Sequence, residues 1–252
     1  MSAQGRLYVV GLGPGDARFL MRDAREALDE AQDLIGYAPY VARVPERAGQ
    51  TRLASDNRVE IERAQDALTR AAAGRVVAVV SGGDPGVFAM ASAVFEAVEA
   101  GDPAWRDLDI RVLPGVSAMQ ATAARLGAPL GNDFCVISLS DNLKPWEIIA
   151  KRLDCAARGD FVIALYNPAS RARPTRIHDA FALLREALAP ETIVAFAKSV
   201  GRAQEHIIVT RLDAADPSIV DMSTLVIIGA SGTRTIAREN ATPWVFTSRK
   251  AP

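Results

Sequence analysis

The sequence predicts an α/β protein made of two α/β domains, and three observations carry the prediction. Short apolar runs stop abruptly at glycine-rich loops, and amphipathic helices follow those loops through the first half. A break at Gly127-Ala128-Pro129-Leu130-Gly131-Asn132 then separates this half from a second one with more strands per helix. A mainly parallel sheet is therefore expected in residues 1–128 and a mixed sheet in 129–252.

The elements follow in order. Arg6 to Leu12 is a buried strand ended by Gly11-Leu12-Gly13-Pro14-Gly15-Asp16, and Leu20, Ala24, Ala27, Leu28 and Ala31 then share one face of a helix over 17–31. Asp33 to Gly36 is a short strand. Ile61, Ala64, Ala67, Leu68 and Ala71 form a second helical face closed by Gly74, with Asn57 as its expected cap. Val76 to Val80 is continuously apolar and stops at Ser81-Gly82-Gly83-Asp84-Pro85-Gly86; a helix over 87–100 and a strand over 109–113 follow. Pro114-Gly115-Val116-Ser117-Ala118 is the third such loop. All three sit at strand C-termini and gather on one edge, where open α/β sheets bind small ligands. In the second half, strands are expected at 134–139, 161–166, 192–197, 206–210 and 225–228, with helices at 144–157 and 175–188.

Composition narrows the function classes. The 252 residues are 49% hydrophobic with a formal net charge of -1, which supplies no broad cationic field for a nucleic-acid partner. Cys135 and Cys155 cannot hold a metal alone and form no redox pair, so no metal site is expected. There is no basic leader ahead of a long apolar stretch and no run of about 18 apolar residues, so a cytoplasmic protein without a membrane partner is expected.

The loops differ in what they offer. Gly-x-Gly-Pro-Gly-Asp departs from a dinucleotide fingerprint: Pro14 removes a backbone donor, and Asp16 occupies the favourable anion position, so spacing alone favours a capped tight turn. At Ser81 to Pro85 the paired glycines admit a ligand to the backbone and Asp84 can accept from hydroxyl or amino groups, although a plain cap is the commoner role. Ser117 and Ala118 leave room in the same way. In the second half Tyr166-Asn167-Pro168 is followed by Arg171, Arg173 and Arg176. Such a loop can clamp carboxylates, with Lys198, Arg202 and Glu205 extending it; the alternative is a solvated charged face. His178 and His206 are expected to be structural.

Taken together, the three glycine loops resemble the tetrapyrrole methylase family in order and spacing, over nearly the whole chain. Gly36-Tyr37-Ala38-Pro39-Tyr40, Leu139-Ser140-Asp141-Asn142-Leu143-Lys144-Pro145-Trp146-Glu147, Tyr166-Asn167-Pro168-Ala169-Ser170 and Gly201-Arg202-Ala203-Gln204-Glu205 are similar to the branch that methylates precorrin-3B at C17. The resemblance implies two α/β domains with S-adenosyl-L-methionine in a cleft between them, S-adenosyl-L-homocysteine as by-product, and a homodimer. Carried over by position, Pro14, Gly82, Gly83, Asp84, Val87, Ser117 and Ala118 would line the cofactor from the first domain, and Leu165, Tyr166, Ser199 and Thr224 from the second. Asn167, Arg171, Arg173, Arg176 and Arg202 would meet a tetrapyrrole rich in carboxylates.

The implied reaction methylates C17 and contracts the macrocycle to precorrin-4. That needs positioning, a base and an acid, for which Asp84, Lys198, Glu205 and Tyr40 qualify by type. Rival readings are methylation at C11 or C20, a nicotinamide-dependent oxidoreductase and a non-catalytic tetrapyrrole carrier. The substrate-loop motifs oppose the first, the missing acidic strand end opposes the second, and a complete set of cofactor loops opposes the third.

Overall fold

The computed structural model describes residues 5–56, 59–169 and 174–250. The chain forms two compact units, 1–117 and 118–252. In the first, strands β1 (Arg6–Gly11), β2 (Asp33–Tyr37), β3 (Thr51–Ser55), β4 (Val76–Ser81) and β5 (Asp109–Leu113) make one parallel sheet in the order β3-β2-β4-β1-β5. Successive strand side chains point to opposite faces, so Leu7, Val9, Val77 and Val79 enter one cluster while Tyr8, Val10, Ala78 and Val80 enter another. Burial on both faces explains the unbroken apolar run at 76–80.

Helices cover the two faces. α3 (Glu60–Ala72) brings Ala64, Ala67, Leu68 and Ala71 to the first cluster together with Val94 and Ala97 of α4 (Met90–Ala100), and α1 (Arg22–Glu30) closes the other with Ala24, Ala27 and Leu28. The small side chains let helix and sheet approach closely. Asp33 is wholly buried at the start of β2, a position that needs a partner, and both its oxygens accept from the guanidinium of Arg75, just ahead of β4. This pairing holds the Asp33 carboxyl below the usual carboxylate range.

The helix over 17–31 is interrupted. A 3-10 turn at Ala17–Phe19 is capped by Asp16, whose carboxylate accepts from the Arg18 N–H at 2.8 Å, and extended backbone at Leu20 and Met21 delays α1 to Arg22. The helix over 87–100 begins only at Met90, because Phe88 has φ +52° and cannot continue a right-handed turn. α3 starts after Val59, and Asn57 lies outside the described residues. No periodicity in the sequence marks α2 (Ala38–Val41) or β3. The one is a single turn, and the other is a half-polar strand at the sheet edge.

The second unit begins with α5 (Ala118–Leu126), ahead of the break in periodicity over 127–132, and β6 (Gly127–Ala128) lies at the start of that break. Leu126 packs with Val162, Leu225 and Val245 of this unit. Its sheet contains β7 (Phe134–Ser138), β8 (Val162–Tyr166), β9 (Ile193–Lys198), β10 (His206–Arg211) and β11 (Thr224–Ile228) in the order β10-β9-β11-β8-β7. β7 and β8 are parallel and joined through α6 (Trp146–Arg158); the other pairs are antiparallel. The mixed pairing read from strand density is present. α7 (Arg176–Ala187) packs Phe181 on Phe196 of β9, with ring centroids 5.8 Å apart. β12 (Thr233–Ile236) pairs antiparallel with β13 (Trp244–Thr247), which pairs in parallel with β6, completing a small sheet. Among the described residues no helix is long and apolar enough to cross a membrane.

Two glycines of the first unit make opposite demands on the backbone. A Cβ on Gly115 would lie 2.2 Å from the Gly83 carbonyl oxygen, so Gly115→Ala must force two loops apart and is expected to cost about 1–3 kcal/mol or more. Gly83 has φ +72° but open space, its nearest neighbour being 3.8 Å away, so Gly83→Ala should cost only the left-handed penalty of about 1–2 kcal/mol. Urea unfolding of both variants checks the ranking; a milder Gly115→Ala would mean that the loops are not in contact.

Candidate active site

Because β4, β1 and β5 are adjacent and parallel, the loops that follow them emerge side by side. They are stitched together through their backbones. The Gly13 N–H donates to the Gly83 carbonyl at 3.1 Å, the Gly83 N–H returns a bond to the Gly13 carbonyl at 2.8 Å, and the Leu12 N–H donates to the Ser81 carbonyl at 2.9 Å. Asp84 ties in the third loop: one carboxylate oxygen accepts from the Gly86 N–H at 2.8 Å and the other from the Gly115 N–H at 3.0 Å. It thus closes its own turn and cross-links two loops, while the helix that follows is capped at Ala89 and not by Asp84 as the plain-cap reading had it. Pro14 and Ser117 are buried, while Gly82, Gly83, Asp84 and Val87 are partly exposed. The structure therefore brings the first-unit loop residues 14, 82, 83, 84, 87 and 117 to one sheet edge.

A segment not singled out by the sequence beyond Tyr40 fastens two of these loops. The Tyr40 ring on α2 lies so close to Gly82 that a Cβ there would meet ring carbons at 2.7 and 2.8 Å. Two residues past α2, Arg43 donates through one nitrogen, Nη2, to the carbonyls of Leu12, Gly13 and Gly15 at 2.8, 2.9 and 2.8 Å. Arg52 of β3 in turn donates to the carbonyls of Val41 and Val44. No local pattern announces Arg43, because its acceptors lie some thirty positions earlier in the chain.

In the second unit, antiparallel pairing puts the ends of β7, β8 and β9 and the start of β11 on one edge. Thr224 sits opposite Lys198, and Val226 opposite Leu165. This gathers Tyr166, Asn167, Lys198, Ser199 and Thr224. The Tyr166 hydroxyl accepts from the Met119 N–H at 2.9 Å, satisfying a free donor in the first turn of α5 beside Ala118. Leu165 is fully buried in the core between β7 and β11 and presents no surface at this edge. Asn167 and Ser199 both have φ +51°, and the Asn167 amide donates to the Ser138 hydroxyl at 3.0 Å. Nearby, a groove of about 630 Å³ is lined by His178, Pro217, Met222 and Ser223 among others.

The charged residues expected here have partners. Arg176 donates to Asp141 at 2.7 Å and Asp179 at 3.0 Å and stacks on Trp146, so its charge is balanced within the fold. Glu205 accepts from Arg125 and from the Gly201 N–H, both at 2.7 Å. Arg202 is exposed on the same turn, and Arg171 and Arg173 lie outside the described residues. Lys198 pairs with Asp221 at 2.7 Å. Burial raises the Asp221 pKa, but hydrogen bonds from Lys198, Ser223 and Thr224 outweigh it and hold the carboxyl at about 2.

A folded-state value below the unfolded one means stability that is present above the ordinary carboxylate range and lost as pH falls from about 4 towards 2. Asp221→Asn should accordingly give a shallower loss of stability over that window than the parent, measured by urea unfolding at stepped pH. Identical slopes would show that the pair contributes nothing.

Comparison with known proteins agrees with this geometry. The family model for Tetrapyrrole (Corrin/Porphyrin) Methylases matches residues 6–216. A "Precorrin-3B C(17)-methyltransferase" from Sinorhizobium sp is 54% identical over 97% of this chain and 96% of its own length. The "Cobalamin biosynthesis protein CobIJ" of Mycobacterium tuberculosis is 45% identical over 98% of this chain, which spans only 49% of that longer protein. Among solved structures, "the methyltransferase CobJ" superposes with a TM-score of 0.92 at 50% identity, covering 97% of this chain and 100% of that one. The parallel first sheet and the glycine-loop edge fall within the residues that the family model matches, and the chain belongs to the tetrapyrrole methylase family.

Proposed function

We infer that the chain transfers a methyl group from S-adenosyl-L-methionine to C17 of precorrin-3B, on the route to cobalamin, with ring contraction to precorrin-4. The full-length likeness to the Sinorhizobium enzyme carries the reading. The residues also fit the cofactor. Backbone at Gly83 lies open, with no atom nearer than 3.8 Å to a Cβ built there, and the Asp84 carboxylate and Tyr40 hydroxyl are close by. Bound S-adenosyl-L-methionine supplies an electrophilic methyl group and leaves as S-adenosyl-L-homocysteine.

The chain's own contribution is to position, to exclude water and to move protons. The stitched loops give a preformed surface, so little ordering is left to occur on binding. Of the groups considered for proton transfer, Asp84 spends both oxygens on backbone N–H groups and Glu205 is held by Arg125 and Gly201. Lys198 carries transferable protons on a half-exposed ammonium beside Ser199, with the Asp221 carboxylate as a fixed counter-charge. In this reading Lys198 is the acid that assists lactone opening. Arg202 contributes to holding the carboxylate-rich macrocycle. A homodimer in the cytoplasm belongs to the same reading, and sedimentation tests the dimer.

The direct test incubates the protein with methyl-labelled cofactor and precorrin-3B and identifies the product by mass and NMR. Label at C17 of a contracted ring is expected; label at C11 or C20, or turnover only with a nicotinamide cofactor, overturns the assignment. For Lys198→Met a kcat at least about a hundredfold lower is expected, in line with the usual worth of a general acid. Calorimetric affinity for S-adenosyl-L-homocysteine should stay within about threefold of the parent, since no proton transfer occurs on binding. A variant with unaltered kcat removes Lys198 from the chemistry.

A further inference from the structure

We propose that Arg43 is a positioning residue for the cofactor, acting through the Gly13-Pro14-Gly15 turn. The proposal rests on the S-adenosyl-L-methionine reading above and deepens it. Its basis is where the polar groups of that turn point. The Leu12 and Gly13 N–H groups are used by the Ser81 and Gly83 carbonyls, and Pro14 has no N–H to give. The carbonyls of Leu12, Gly13 and Gly15 converge on Arg43 Nη2 at 2.8 to 2.9 Å. Three acceptors drawn to one cation fix the peptide planes on both sides of Pro14. Bonds of this charge-assisted kind are stronger than neutral ones.

The anchor of the guanidinium is itself fixed. Val41 and Val44 on either side of Arg43 are buried in the core, and Arg52 binds both their carbonyls. Tyr40 from the same segment lies against Gly82. One stretch, Tyr40 to Val44, therefore sets the first loop by charge and the second by ring contact. Without the cation, three carbonyl dipoles are left pointing at one another, and the turn relaxes by rotating the peptides around Pro14. The expected result is a displaced cofactor surface on an intact sheet.

The chemistry separates this role from mere structural support. All three contacts come from a single nitrogen, whose two N–H groups share three acceptors, so a lysine ammonium, with three N–H groups on a somewhat shorter stem, can replace them, whereas methionine and glutamine cannot supply the charge. Arg52→Met serves as the comparison, since it loosens the same segment without touching the turn. S-adenosyl-L-homocysteine binding is measured by calorimetry on the parent, Arg43→Lys, Arg43→Gln, Arg43→Met and Arg52→Met, with melting temperatures recorded in parallel. Hydrogen exchange over residues 11–19 reports the turn directly, also in any variant too unstable for calorimetry.

Arg43→Met and Arg43→Gln should bind at least tenfold more weakly and show faster exchange in the turn. The KM for S-adenosyl-L-methionine should rise with them, while the KM for precorrin-3B stays within about threefold of the parent value. Arg43→Lys should recover most of the affinity, and Arg52→Met should melt earlier yet bind within threefold of the parent. Parent-like binding and exchange in Arg43→Met overturn the proposal, as does an equal affinity loss in Arg52→Met at a similar melting temperature. A parent that binds no sulfur ligand overturns the functional reading, and the positioning role with it.

Discussion

The first unit depends on how closely three pieces of backbone approach one another at the C-terminal edge of its sheet. Gly11 and Gly115 meet the Gly83 carbonyl where side chains cannot fit: a Cβ on Gly11 would sit 2.7 Å from the Gly115 nitrogen, and one on Gly115 2.2 Å from the Gly83 oxygen. This proximity allows the reciprocal bonds between Gly13 and Gly83, and it brings the Gly115 N–H within reach of Asp84. The strand order β4-β1-β5 and the position of Asp84 matter chemically because this contact exists. Glycine here serves backbone packing first, and the open space at Gly83 follows from it.

Several of the chain's arginines are turned inward onto backbone oxygen. Arg43 holds the first loop, Arg52 the end of α2, and Arg185 the carbonyls of Leu212 and Ala215 beyond α7. A guanidinium suits this work because its several N–H groups reach more than one acceptor and it is more weakly hydrated than an ammonium. Arg176, engaged by two carboxylates and Trp146, belongs to the same class of internally satisfied cations. Counting arginines near a strand end thus says little about substrate charge until their partners are known.

This explains what was legible in the sequence and what was not. The two sheets, the strand-end loops and the gathering of the glycine motifs were readable, because burial on one or both faces of a strand leaves a period that survives in the letters. β3 and β12 were not, since edge strands with exposed faces lack that period, and β13, though central in its small sheet, is only four residues long. The first helix was drawn too long because Leu20 preserves the helical spacing while its backbone is extended. Asp84 was legible by type but not by partner, as its second acceptor bond reaches the Gly115 N–H on a different strand end. Arg43 was invisible for the same reason: hydrogen bonds between segments distant in sequence leave no local mark.

The reciprocal bonds between Gly13 and Gly83 also bear on the order in which the chain acquires its site. They join segments separated by most of the first unit, and closing such long loops is entropically expensive until the intervening strands are in register. The loop edge is therefore complete only once β1, β4 and β5 have aligned. A chain still emerging from the ribosome lacks the third stitched loop until Gly115 has been made and docked. A ligand that recognises only the completed edge then acts as a late lock, drawing the population toward the folded unit by mass action rather than guiding its early collapse.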